Sequence, residues 1–271
     1  MAYGLLNGKR GIISGALDEN SIAWKVALKA KEEGATFTLT NAPIAMRMGA
    51  IKQLADECNA EIIPADATSI DDLENLFTKS TDVLGGKVDF VLHSIGMSPN
   101  VRKGKAYTDL NYEWFKQSID ISAMSFHKMM QTAYKLDAIN EWGSVVALTY
   151  MAAQRTFPFY NDMADAKAVL ESIARSFGYQ YGKYRHVRVN TVSQSPTPTK
   201  AGSGIGGFDK FFDFADKMAP LGNATAAQCA DYVVTLFSDL TRMVTMQNLF
   251  HDGGFSMTGI SEEVMELVTK E

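Results

Sequence analysis

The sequence predicts an α/β fold, a doubly wound, seven-stranded parallel sheet with helices on both faces. Two observations carry that prediction. Short apolar runs rich in β-branched residues recur about seven times along the chain, and segments with helical spacing of apolar positions separate them. Such alternation implies parallel strands joined by right-handed helical crossovers. The third observation is size: 271 residues at 46% hydrophobic content can bury one large core, so a single domain over 1–271 is expected.

The strands are expected at GIIS near Ile12, TFTLT near Phe37, EIIPA near Ile62, DFVLHS near Val91, SVVALT near Val146, VRVNTVS near Val189 and NLF near Leu249. The helical spacing covers roughly 21–33, 44–58, 69–84, 110–139, 161–183 and 225–238. One long irregular stretch, SQSPTPTKAGSGIGG, is rich in Pro, Gly and Ser and reads as a mobile loop. With the helix-spaced segment after it, this forms a candidate substrate lid over about 193–218.

Composition excludes several function classes. A net charge of −5 argues against general nucleic-acid affinity, which needs clustered Lys and Arg. No run of about 18 apolar residues suggests a membrane span and no leader is evident, so a cytoplasmic protein is expected. Cys58 and Cys229 have no partner at metal-ligand spacing and read as buried free thiols. No metal site is expected.

In a doubly wound sheet the ligand sits beyond the carboxyl ends of the strands, so those positions are the candidate site. After the first strand comes SGALDENSIAWK, in which Gly15 begins a turn and Ser21 and Ile22 open a helix. A helix N-terminus beside a small residue can cradle a phosphate, although Gly15 alone fits a plain strand-to-helix turn equally well. Thr40, Asn41 and Ala42 offer no acid for a ribose 2′-hydroxyl, while Arg47 could meet a 2′-phosphate, which leaves NADH and NADPH both open. Asp66-Ala67 and His93-Ser94-Ile95-Gly96 end the third and fourth strands, at the correct edge for adenine and ribose contacts. His93 alone reads as a core histidine.

The sharpest pattern is Tyr160 followed seven residues later by Lys167, with Tyr150 ten residues upstream of Tyr160. Two helical turns would put Tyr160 and Lys167 on one face, where an ammonium could favour ionisation of the phenol and reach a ribose hydroxyl. The bland alternative is a core-capping Tyr and a solvated Lys.

The Tyr-x9-Tyr-x6-Lys spacing, HSIG after the fourth strand, Ser21-Ile22-Ala23 in the first loop and the closing HDGGFS resemble the bacterial enoyl-acyl-carrier-protein reductases. These are a divergent, Rossmann-like branch of the short-chain dehydrogenases, whose ordinary members separate the tyrosine and lysine by three residues. The resemblance covers about 5–257 and implies a single dinucleotide-binding reductase domain acting on a trans-2-enoyl thioester, with NADH, or alternatively NADPH, as cofactor. It implies Gly15, Ser21, Ile22, Asp66, Ala67, Ser94, Ile95, Gly96, Lys167, Thr197 and Thr199 as cofactor positions. Tyr150, Tyr160 and Lys167 are implied as catalytic, with Tyr150, Ser98 and Phe208 facing the substrate. Phe208 to Met218 would cover the acyl chain, or equally be ordinary core.

The resemblance further implies a homotetramer and an acyl-carrier-protein partner. Where that partner would meet Lys or Arg, the chain has Gly206 and Asp209, leaving Lys200 and Lys210 as the nearest cations. Ala42 and Ser195-Pro196-Thr197 also depart from the family pattern. The competing readings are a short-chain ketone or 3-ketoacyl reductase and a catalytically silent nucleotide-binding module.

Overall fold

A computed structural model describes residues 2–47, 50–200, 202 and 207–269. Its seven strands are β1 (Arg10–Ser14), β2 (Thr36–Thr40), β3 (Glu61–Ile62), β4 (Val88–His93), β5 (Ile139–Thr149), β6 (Arg188–Gln194) and β7 (Asn248–His251). They form one sheet in the order β3-β2-β1-β4-β5-β6-β7, with every pair parallel. The chain winds outward from β1 in one direction and from β4 in the other. The crevice between those two strands is where such a sheet opens to a ligand.

Side chains alternate between two cores, as strands buried on both faces require. Ile13, Leu92, Val146 and Val192 pack against α1 (Ile22–Glu32) and α10 (Ala226–Phe237). Ile12, Val91, Val145 and Val189 pack against α4 (Ile70–Leu84), α7 (Ser125–Lys135) and α8 (Asn161–Arg185). Local chemistry sets several helix ends. The Ser69 hydroxyl accepts from Asp72 N to start α4, and Gly85 ends it in the left-handed region. Thr225 and Gln228 form a reciprocal capping box on α10.

Four expectations need correction. The helix foreseen over 44–58 is two, α2 (Pro43–Met46) and α3 (Ala50–Cys58). The segment 110–139 divides into α6 (Tyr112–Ile119), a π-helical turn at Asp120–Met124 and α7, and residue 139 already belongs to β5. β3 pairs only through Glu61 and Ile62, although Ile63 N and Ala65 N still donate to Leu39 O and Asn41 O at 2.9 and 3.1 Å. Two helices were not assigned from periodicity, α5 (Pro99–Arg102) and α11 (Glu262–Thr269), while α9 (Phe208–Met218) takes the helix-spaced segment of the candidate lid. Cys58 and Cys229 are buried and free, and no group of potential metal ligands occurs among the described residues. Nor is any helix among them long and apolar enough to cross a membrane.

Phe237 of α10 stacks on Phe90 of β4 with ring centroids 4.6 Å apart, joining a helix to the centre of the sheet. Phe237→Ala should lower the unfolding free energy by about 3–5 kcal/mol, read from a denaturant midpoint. A loss below about 1 kcal/mol would contradict this packing.

Candidate active site

A cavity of about 1020 Å3 opens at the carboxyl edge of the sheet, lined from the ends of β1, β4, β5 and β6 and from α8 and α9. It gathers Gly15, Ser21, Ile22, Ser94, Ile95, Gly96, Tyr150, Tyr160, Lys167, Thr197, Thr199 and Phe208, so residues scattered over nearly 200 positions share one space. Asp66 and Ala67 are not in its lining. The Asp66 carboxylate instead accepts from Thr68 N and Thr68 Oγ1 at 2.9 and 2.7 Å, holding the turn into α4. Arg47 is exposed and also outside the lining.

One end of the cavity suits a phosphate. Gly15 has φ +90°, and a Cβ there would lie 1.9 Å from the Ser94 carbonyl oxygen, so only glycine lets the ends of β1 and β4 close up. Ser21 stands at the N-cap of α1 but does not cap it. Its hydroxyl donates to Asp18 O at 2.5 Å and accepts from Leu17 N at 3.2 Å, folding the loop back on itself. The first N–H groups of α1 therefore meet no side-chain acceptor, and the positive end of the helix faces the cavity. Lys200 crosses from the segment after β6 to pair with Asp18 at 3.1 Å. It was expected as a free cation, but this acid engages it.

The other end is aromatic. Tyr150, which follows β5, lies 5.1 Å from Tyr160 and 5.3 Å from Phe157 between ring centroids, and Phe157 meets Phe211 of α9 at 5.2 Å. The Tyr150 hydroxyl is buried without a hydrogen-bond partner. Burial raises both phenols above their ordinary value, so each is a neutral donor at neutral pH. That corrects the idea that Lys167 would ionise Tyr160. Nor are the two simply neighbours on one helical face: Tyr160 precedes α8, and Asn161 at φ +43° turns the chain between them.

Lys167 is 7% exposed and donates from Nζ to Leu148 O at 2.8 Å. Burial lowers its pKa to about 8, with Glu171 opposing the shift. His93 is structural, as expected. Ser125 Oγ gives its proton to Ile121 O at 2.6 Å, so His93 Nε2 donates to Ser125 at 2.8 Å, and burial lowers the ring to about 3.

Ser98 needs correction and leads to a residue that the sequence did not mark. Its hydroxyl lines the cavity but donates to Asp162 Oδ1 at 2.6 Å, so it is not free to hold a substrate. Asp162 also accepts from Asn100 Nδ2 at 2.9 Å and Ser118 Oγ at 2.8 Å, and it is fully buried. Two residues after Tyr160, this carboxylate ties α5, α6 and α8 together with neutral donors at the positive end of α8. Phe157 was also missed as a site residue, whereas Phe211 falls in the segment 208–218 expected over the acyl chain.

A glycine turn at the switch point of this sheet, with half-buried tyrosines and a buried Lys sharing its cavity, defines a dinucleotide-dependent oxidoreductase of the short-chain dehydrogenase class. The family model described as enoyl-(acyl carrier protein) reductase matches residues 15–256. The chain belongs to that family. It is 34% identical over 261 residues to the NADH-type enoyl-[acyl-carrier-protein] reductase 2 of Rhizobium meliloti, covering 95% of each chain. With the corresponding Rickettsia bellii enzyme it shares 35% over 269 residues, 97% of this chain and all of that one. Among solved structures, the FabI–NADH complex from Alistipes finegoldii is 65% identical with a TM-score of 0.94, covering 96% of this chain and 92% of that one. The NADH-type reductase of Aquifex aeolicus is 31% identical with a TM-score of 0.87, covering 94% and 99%.

Asp162→Asn keeps the shape but sets an amide N–H2 where one carboxylate oxygen accepts, against Ser98 on the Oδ1 side or against Asn100 and Ser118 on the Oδ2 side. It should destabilise the fold by about 1–3 kcal/mol in thermal or chemical unfolding, as a buried donor left unpaired does. Unchanged stability would show that the carboxylate is not holding these elements.

Proposed function

We propose that this chain reduces the double bond of a trans-2-enoyl thioester borne on acyl carrier protein, with NADH as the cofactor, in fatty-acid elongation. The observation that carries the reading is the pair of neutral phenols, Tyr150 with its hydroxyl buried and unpartnered, beside Lys167 in one cavity. NADH fits the residues present: Gly15 leaves room where a Cβ would collide, and the uncapped start of α1 suits a pyrophosphate. Among the described residues, the stretch after β2 lines the cavity through Asn41, Ala42, Ile44 and Ala45 and contributes no cation, with Arg47 outside the lining, which favours NADH over its 2′-phosphorylated form. When bound, NADH supplies hydride to C3 of the enoyl group.

As C3 gains hydride, negative charge gathers on the thioester oxygen and C2 then takes a proton. Tyr160 is the donor to that oxygen, aided by its neutrality. Lys167 holds the cofactor ribose and adds positive charge, with Leu148 O fixing its ammonium. Tyr150, Phe157, Phe211 and Phe208 receive the acyl chain, and Ser94, Ile95, Gly96, Thr197 and Thr199 line the cofactor's place. The segment 193–218 serves as the lid; residues 201 and 203–206 within it lie outside the described residues. A single reductase domain that assembles as a cytoplasmic homotetramer completes the reading. Edge strand β7 supports the assembly, because it pairs only with β6 among the described residues and exposes Phe250.

Purified protein should consume NADH when given a crotonyl thioester, followed at the reduced-nicotinamide absorbance. Tyr160→Phe should lower turnover on the order of 10²-fold while leaving NADH affinity nearly intact. Equal turnover in the variant, or turnover of a 3-ketoacyl thioester alone, overturns the reading.

Lys167 gives a pH dependence. Its folded pKa of about 8 means the ammonium is present below that pH and lost above it. Since kcat/KM reports the free enzyme, kcat/KM for NADH should fall as pH rises through about 8. A Lys167→Met variant should be slow and show no such limb. A flat wild-type profile between pH 7 and about 9 would remove the charge from the mechanism.

A further inference from the structure

A carrier-borne substrate, as proposed above, requires a surface that meets an acidic protein, yet the whole chain carries −5. Complementarity must then be local. α9 does not provide it: Asp209, Asp213 and Asp216 outnumber Lys210 and Lys217 along that helix. Lys200 is already neutralised by Asp18.

The segment after β4 differs. In Val101-Arg102-Lys103-Gly104-Lys105, Val101 is buried in the cavity wall, Arg102 also lines the cavity and Lys103 follows it just outside the lining; both cations are exposed, with no ionic partner among the described residues. Nearby acids are engaged elsewhere. Asp109 pairs with Lys105 at 3.1 Å, Glu113 with Lys116 at 2.8 Å, and Asp165 accepts from the Tyr107 hydroxyl at 3.2 Å. Asp165, held by a neutral phenol, and the buried Asp162 keep their charges, so the positive excess belongs to the stretch 98–109 itself, where Arg102, Lys103 and Lys105 stand against Asp109 alone.

The segment is also held rigidly, which lowers the cost of docking on it. Ser98 and Asn100 bind the Asp162 carboxylate, and Asn161 Nδ2 donates to Lys105 O. Both anchors directly follow Tyr160 in the chain.

We infer that the acyl carrier protein docks on the Arg102–Lys103 rim rather than on α9, and passes its thioester over the edge of the cavity that Val101 lines. This rests on the functional reading above, and two substrates separate the failures. A crotonyl group is offered on the carrier protein and, separately, on uncharged N-acetylcysteamine, while carrier binding is followed by anisotropy of a labelled carrier. Lys103→Glu should weaken carrier binding and lower kcat/KM for the carrier substrate about tenfold, with less effect at high salt. The cysteamine thioester should be turned over as by the wild type. Lys217→Glu on α9 should change neither. Loss of carrier binding in Lys217→Glu with none in Lys103→Glu overturns the inference, as does an equal loss on both substrates. If the wild type reduces neither thioester, the functional reading fails, and the binding comparison still decides the docking surface.

Discussion

The carboxyl ends of β1 and β4 approach so closely that the Ser94 carbonyl oxygen occupies the place of a Cβ on Gly15, and the rest of the site follows from that contact. Neighbouring parallel strands ordinarily send their following segments to opposite faces at a switch point, which opens a crevice. Here the crevice is narrowed by backbone rather than by side chains. The loop after β1 must then run outward, and Ser21 folds it by bonding to Asp18 O and Leu17 N instead of capping α1. The Gly15 N–H is itself bonded to Thr40 O at 3.1 Å, so it is the uncapped start of α1, at a cost in stability, that leaves N–H groups turned toward the cavity.

Charge inside the cavity is handled by the same economy. Asp162 and Glu171 are buried carboxylates satisfied by neutral donors: three on Asp162, and Thr149, Gln154 and Asn248 on Glu171. Neutral donors keep a buried anion in place without drawing Lys167 into a closed ion pair. The ammonium keeps one fixed bond, to Leu148 O, and is otherwise available. Its burial opposes folding. With a folded pKa of about 8 against an ordinary 10.5, the unfolded chain binds more protons between those values, and stability rises with pH across that window. Such a penalty persists only where the buried charge has work to do.

Most of the sheet could be read from the chain because the inner strands β1, β2, β4, β5 and β6 are largely buried on both faces and appear as apolar runs. The boundaries could not. Nothing in local spacing distinguishes the π-helical turn at Asp120–Met124 from the helices around it, and β3 owes its shortness to its edge position. The cavity residues at strand ends were also legible, since position after a strand is a topological property. Asp162 was not, because its partners Ser98, Asn100 and Ser118 lie 44 to 64 residues away. Ser98 was misread for the complementary reason: its place at the cavity was visible, but the acceptor of its proton was not. Asp66 lies outside the cavity lining, and Thr68, two residues on, engages its Oδ1.

The seven-residue step from Tyr160 to Lys167 acquires a different meaning once Asn161 is taken into account. Were both residues in α8, the step would fix their separation by helical geometry alone. Instead Asn161 adopts φ +43°, so Tyr160 leaves the helix direction and its ring turns toward Tyr150. A non-glycine residue in that region costs on the order of 1–3 kcal/mol and endures only where its surroundings hold it. Asn161 is held by the Lys105 carbonyl on one side and by Asp162, anchored at three points, on the other. The phenol's place is therefore set by the segment after β4 as much as by α8.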